Sequence, residues 1–323
     1  MALKTRFETL VTVFGGSGFL GRHVVRTLAN RGYRIRVAVR RPELCGFLRP
    51  MGRVGQINTV QANLRYPQSI AVALRDADIA VNLVGILFQR GAQRFDAVQA
   101  VGAEAVALAA KSAGARLVHI SAIGADENSS WHYARSKAEG ERRVLAAQPS
   151  AAIMRPSIVF GPEDDFFNRF AALARIAPAL PLVGGGHTRF QPVFVGDVAE
   201  AIGKAVDGDT KPGTIYELGG PDVRTFRELM EFVLATIGRR RLLVPVPFGV
   251  MKFQAAFAQF LPKPPITPDQ VELLKSDNVV SAEARSEGRT LEGLGMIPES
   301  ISAIVPTYLW PFRKAGQFSP NTA

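Results

Sequence analysis

Residues 11–29 read VTVFGGSGFLGRHVVRTLA: an apolar run, a glycine-rich turn, then an amphipathic stretch. This spacing sets Gly15, Gly18 and Gly21 between a strand and a helix. Each glycine meets a physical need. Gly15 permits a tight turn, Gly18 lets the backbone approach a pyrophosphate, and Gly21 lets the helix pack closely on the strand. The helix start offers free N–H groups and a positive dipole end, which stabilise an anion by up to about 2 kcal/mol. Ser17, Phe19 and Leu20 complete the loop and belong to the same cofactor-binding mouth.

Outward from this unit, β-rich runs alternate with helical stretches. Residues 10–14, 35–39, 57–61, 79–84 and 117–120 read as buried strands, with helices over 22–30, 69–75 and 97–112 between them. A sixth strand, 151–160, follows a helix that starts near Tyr133, and 216–219 returns as a last strand. Such alternation predicts an α/β fold, a doubly wound parallel Rossmann sheet built from right-handed crossovers. Proline and glycine then cluster over 178–186. The expected organisation is a Rossmann domain over 1–223, with 163–190 contributing to a substrate cleft. A smaller, mainly helical C-terminal lobe for substrate or partner would occupy 224–323.

The residue that selects between nicotinamide dinucleotides lies about 20 residues after the glycine motif, at the end of the second strand. An acid there would hold a ribose 2′-hydroxyl. This chain has Arg40 and Arg41 instead. A planar guanidinium matches a 2′-phosphate through paired charged hydrogen bonds. NADP(H) is therefore the preferred ligand, with NAD(H) the alternative.

In WHYARSKAEGE, Tyr133 and Lys137 stand four residues apart on one helix face. A neighbouring ammonium favours a phenolate and lowers the tyrosine pKa. A drop of about three units needs roughly 4 kcal/mol, much of which one lysine and a cationic nicotinamide could supply.

On these residues the chain resembles the extended and atypical short-chain dehydrogenase/reductases, the NAD-dependent epimerase/dehydratase superfamily. The glycine loop, the Tyr133–Lys137 pair and the runs RPSIVFGP at 155–162, VGDVA at 195–199 and YELGG at 216–220 carry the likeness. Within it, residues 274–281 and 308–310 resemble the bacterial relatives of the NAD(P)H-binding accessory subunit of respiratory complex I. The resemblance implies that Tyr133 is the acid/base and that Lys137 tunes it and holds the nicotinamide ribose. It also assigns Asn63, Leu64, Val84, Gly85, Arg155, Pro156 and Ile158 to the cofactor. The family's substrate-bonding hydroxyl falls on Ser121 or, one residue on, on Ala122, which has none.

Composition narrows the partners. A net charge of +11 favours anions. Zinc-knuckle spacing, a helix-turn-helix signal and basic-aromatic repeats are missing from the sequence, so no nucleic acid is expected. His23, His119, His132 and His187 lack ligand spacing, and no metal site is expected. The single cysteine, Cys45, excludes an intramolecular disulfide and fits a reducing compartment. Residues 1–8 carry no apolar leader, and no run nears the roughly 20 apolar residues of a spanning helix. The expectation is a cytoplasmic protein, with peripheral attachment to the cytoplasmic face of the inner membrane as its extension. The helix read over 248–261 sets Val250, Phe253, Phe257, Phe260 and Leu261 on a narrow face, suited to a core, a membrane interface or a partner. Arg239, Arg240 and Arg241 follow a helix end, where cations cap carbonyls or meet acidic lipid.

Two functions from different classes fit. One is an NADP(H)-binding structural or regulatory subunit, in contact with a membrane surface or a respiratory-complex protein. The other is an oxidoreductase, epimerase or dehydratase acting through Tyr133 and Lys137 on a quinone-like, lipid-like or nucleotide-sugar substrate.

Overall fold

The computed structural model describes residues 4–258, 268–314 and 316–318. The chain forms two compact units that interleave in sequence. The first holds the described residues of Met1–Pro156, Gly196–Glu217 and Glu283–Met296; the second holds those of Ser157–Val195, Leu218–Ala282 and Ile297–Ala323. The chain thus passes between units several times rather than once near residue 223.

The first unit is built on a seven-stranded sheet. Its elements are β1 (Leu10–Phe14), α1 (Phe19–Asn30), β2 (Arg34–Val39), β3 (Ile57–Gln61), α2 (Pro67–Ala73), β4 (Ile79–Asn82), α3 (Val101–Ser112), β5 (Arg116–Ile120), α4 (His132–Ala147) and β6 (Ala152–Pro156). The second unit contributes β7 (Val159–Phe160), α5 (Phe167–Ile176), β8 (Ala179–Val183), β9 (Arg189–Phe190) and β10 (Val193–Phe194). Then α6 (Val195–Asp207) and β11 (Ile215–Leu218) return to the sheet layer, before β12 (Arg224–Thr225), α7 (Phe226–Thr236), β13 (Leu242–Val246), α8 (Phe248–Ala258), α9 (Pro268–Leu273), α10 (Ala282–Ser286) and α11 (Ile301–Leu309).

Strand order in the large sheet is β11-β6-β5-β4-β1-β2-β3, and the pairings from β3 to β6 are all parallel. Both faces of β1 are covered: all five residues are buried. This is why the strand reads as unbroken apolar sequence rather than as an alternation. α1 buries Gly21, Val24, Val25, Leu28 and Ala29, a three-to-four-residue stripe. Strand order reverses between β1 and β4, and doubly wound sheets take ligands beyond the carboxyl ends of the strands at such a switch point.

A π-helical turn, Asp96–Ala100, leads into α3 and packs on α4. Gly140 makes that contact: a methyl there would lie 2.1 Å from the backbone oxygen of Gln99. Gly140→Ala should therefore cost about 1–3 kcal/mol, the usual penalty of overpacking. Thermal unfolding should show it as a fall of several degrees, and an unchanged midpoint would refute the contact.

The second unit closes around its own core of Phe160, Phe167, Leu180, Phe226, Leu229 and Val305 with their neighbours. Asp164 fastens it. Its Oδ1 accepts the N–H groups of Phe167 (2.6 Å) and Asn168 (3.2 Å), capping α5, and its Oδ2 accepts the Tyr308 hydroxyl at 2.5 Å.

Several sequence expectations change here. The strand read over 151–160 is two strands: β6 ends at Pro156, and β7 pairs with β10 instead. Proline has no N–H to continue the ladder. The fourth strand stops at Asn82 rather than at residue 84. The C-terminal region, mainly helical as expected, also holds a strand, because β13 pairs in parallel with β8, and β8 itself lies in the stretch where proline and glycine cluster. Residues 283–296 count with the first unit, where the Arg289 guanidinium donates to Ile215 O and its carbonyl accepts the Glu217 N–H.

Candidate functional site

The carboxyl ends of β1, β4 and β5 bring the glycine loop, the residues after Asn82 and the α4 pair to one part of the first unit. Gly15 has φ +78°, a left-handed conformation that glycine adopts without strain. Its N–H donates to Ala38 O at 3.1 Å, tying the loop to the end of β2. A methyl on Gly21 would sit 2.3 Å from Gly15 O and 2.6 Å from Gly16 Cα, so only glycine lets α1 start this close to β1. Gly18 is the N-cap of α1, and a glycine brings no capping side chain. The first-turn amides are left for an anion.

Val84 and Gly85 follow β4. The Val84 N–H donates to Asn82 Oδ1 at 3.2 Å, and Val84 Cγ2 lies 3.2 Å from where a Gly15 Cβ would stand. Gly85 is exposed, and its own Cβ position is 3.4 Å from Lys137 Nζ. The ammonium of Lys137 donates to Ile120 O at 3.3 Å. The loop after β1, the loop after β4 and the lysine of α4 are thus linked.

Tyr133 and Lys137 occupy the first two turns of α4. The tyrosine ring meets Phe95 edge-on at 5.7 Å. In the protein alone, burial pushes the Tyr133 hydroxyl up to about 12. Lys137 is itself pushed down to about 8 by burial, against the opposing pull of Glu141. The phenol therefore stays protonated at neutral pH in the protein alone.

The register after β5 is now visible. The Ser121 N–H donates to Met154 O at 2.8 Å and the Ile123 N–H to Pro156 O at 3.0 Å, so strand-like pairing runs past Ile120. Ser121 is buried and Ala122 is partly exposed. Ser121 Oγ is a buried atom with no hydrogen-bond partner. A buried hydroxyl without a partner is unusual, and a polar group reaching the end of β5 would satisfy it.

Other assigned residues are placed differently. Arg40 and Arg41 follow β2 with exposed side chains. Asn63 turns the chain after β3, its N–H donating to Ser69 Oγ at 3.0 Å, while Leu64 is buried in the helix-side core. The Arg155 guanidinium is committed to carboxylates, at 2.8 and 2.5 Å to Glu141 and 3.5 Å to Glu217. Pro156 closes β6, and Ile158 belongs to the second unit, packed against its phenylalanine-rich core.

Sequence reading passed over a buried polar layer beneath this site. His119 and Asn82 on adjacent strands share a contact of 3.2 Å, and burial with the nearby Lys137 charge holds His119 down at about 3. Gln99 donates to Ile86 O at 2.6 Å and faces Ser136 Oγ at 3.2 Å. The signal was present: Asn82 and His119 interrupt otherwise apolar strands. Among the described residues, no group of three or more His, Cys, Asp or Glu is arranged to hold a metal ion, and no helix is long and apolar enough to cross a membrane.

A glycine-loop Rossmann sheet with a Tyr-x-x-x-Lys pair after β5 defines the class, a dinucleotide-binding dehydrogenase/reductase scaffold. The chain belongs to the NAD dependent epimerase/dehydratase family, which residues 11–219 match. It is 36% identical over 320 residues to NADH dehydrogenase (ubiquinone) 1 alpha subcomplex subunit 9, mitochondrial, of Arabidopsis thaliana, covering 95% of this chain and 79% of that protein. It is 34% identical over 250 residues to a ceramide reductase of Caulobacter vibrioides, covering 76% of each. Among solved structures, DesIV, a dTDP-glucose 4,6-dehydratase of Streptomyces venezuelae with NAD and TYD bound, shares the fold at a TM-score of 0.71. It has 21% identity and covers 97% of this chain and 100% of that one.

Proposed function

We propose that this chain is an NADP(H)-binding structural or regulatory subunit of respiratory complex I or of another membrane quinone system, held peripherally at the cytoplasmic face of the inner membrane. The observation that carries this reading is the likeness to a complex I subunit over 95% of the chain. The site fits the dinucleotide: backbone atoms leave no room for a Cβ at Gly21, Gly15 holds a left-handed turn, and Ser121 Oγ lacks a partner.

In this reading the backbone from Gly15 to Gly21, including Ser17, Phe19 and Leu20, holds the pyrophosphate. Arg40 and Arg41 meet the 2′-phosphate. Asn63, Leu64, Val84 and Gly85 border the adenosine and nicotinamide halves, and Lys137 donates to the nicotinamide ribose. Arg155 serves by fixing Glu141 rather than by touching the ligand. The first unit carries the dinucleotide, and residues 163–190 with the region beyond 224 serve a substrate or partner.

Purification from native membranes tests the proposal. NADP(H) should copurify, identified by mass, together with respiratory-complex subunits. A chain that carries no dinucleotide and elutes without them would refute it.

One relative favours a second reading. The ceramide reductase acts, by its name, on a lipid, and Tyr133 and Lys137 are intact here. A bound nicotinamide would supply hydride, and Tyr133 would donate the proton to a lipid-like carbonyl oxygen. NADPH consumption with long-chain keto lipids would favour this enzyme.

Cofactor choice has its own test. Losing charged hydrogen bonds to a phosphate costs about 1.5–3 kcal/mol, so Arg40→Ala should weaken NADPH roughly 10- to 100-fold and leave NADH nearly unchanged. Calorimetric titration with both nucleotides measures it; an equal loss for the two would remove Arg40 from the 2′-phosphate.

A further inference from the structure

One end of the second unit gathers positive charge. α5 packs with α7, and α11 packs on both. Their carboxyl ends are tied together by arginines that donate to main-chain carbonyls. Arg241 Nε reaches Ala174 O at 2.8 Å, Arg239 Nε reaches Phe312 O at 3.0 Å, and Arg313 Nε reaches Thr236 O at 3.1 Å. The segments that meet there, 173–178, 236–242 and 309–314, contain Arg175, Arg239, Arg240, Arg241, Arg313 and Lys314 and no aspartate or glutamate.

Capping explains part of this cluster, since helix carboxyl ends are negative and take a cation each. It does not explain the surplus. Arg240 and Lys314 stand exposed. Large apolar side chains stand out at the same end: Ile176 is 79% exposed, Leu242 72% and Trp310 39%. The Leu242 N–H donates to Pro178 O at 3.3 Å, so Ile176 and Leu242 lie on adjoining stretches.

We propose that this end of the second unit is a docking surface for an anionic phospholipid bilayer. The arginines and Lys314 meet headgroup phosphates while Ile176, Leu242 and Trp310 enter the interface. Charge alone would also suit an acidic protein. Exposed apolar side chains on the same segments as the cations, one of them a tryptophan, favour lipid, because each can sink between headgroups without a shaped partner. The inference rests on the peripheral placement proposed above and names the surface that would produce it.

Co-sedimentation of the full chain with phosphatidylcholine vesicles, with and without phosphatidylglycerol, tests it. Binding should be at least about tenfold tighter to the anionic vesicles and should fall steeply with added salt. The double variant Arg240→Glu, Lys314→Glu should lose about tenfold or more of that binding. Ile176→Ser with Leu242→Ser should weaken what survives at high salt. Trp310 emission, read in a Trp131→Phe background, should shift to the blue on anionic vesicles. NADPH titration of each variant checks that it is folded. Charge-reversed protein that pellets like the parent, or a parent that binds soluble polyglutamate as tightly as vesicles with no Trp310 shift, overturns the proposal. If vesicles fail while NADPH and respiratory subunits still bind, this surface falls and the proposed function stands.

Discussion

Gly21→Ala is expected to weaken dinucleotide binding by about 100-fold or more while the sheet still forms. The added methyl would lie 2.3 Å from Gly15 O and 2.6 Å from two atoms of Gly16, all of them backbone. No side chain can rotate aside. Either α1 moves away from β1 or the loop opens, and both displace the first-turn amides from the pyrophosphate. Losing two charge-assisted bonds of about 1.5–3 kcal/mol each gives a loss of this order. Overpacking adds about 1–3 kcal/mol of destabilisation. Titration with NADPH, paired with circular dichroism to confirm folding, measures both. Near-parental affinity in a folded variant would place the dinucleotide elsewhere.

The second large effect is acid sensitivity from His119. Its ordinary value of 6.5 is lowered to about 3, by burial first and then by the Lys137 charge. A group whose pKa is depressed by folding stabilises the native state above its unfolded value and loses that contribution as pH falls. The window here runs from pH 6.5 down to about 3. Across it the unfolded chain takes up a proton that the native state refuses, an effect of about 5 kcal/mol in full. His119→Gln keeps an acceptor for Asn82 and removes the titration. Its denaturant-derived stability should fall about 3 kcal/mol less than the parent's between pH 6.5 and 4. Parallel pH profiles for the two proteins would show that the imidazole protonates in place.

Much of the frame was legible from particular residues. The run 10–14 declared a two-sided strand by its unbroken apolar character, and α1 appeared in its stripe of Val24, Val25 and Leu28. β13 was hidden, since Leu242–Val246 contains a proline and is a strand only because β8 lies beside it. The helix read over 248–261 is partly settled: Met251 and Ala255 are buried and Val250 and Phe253 are exposed. Phe260 and Leu261, and the side chain of Phe257, lie outside the described residues.

Local spacing determined the glycine loop, the pairing of Tyr133 with Lys137 on one helix face, and the arginines after β2, because each depends on residues within a turn or two of one another. Tertiary structure alone decided the rest. Which of Ser121 and Ala122 is buried, whether Arg155 is free, and whether a phenol is raised or lowered depend on partners from distant segments. Glu141, Glu217 and Phe95 act through burial and charge at a few ångströms, and no sequence period encodes that proximity.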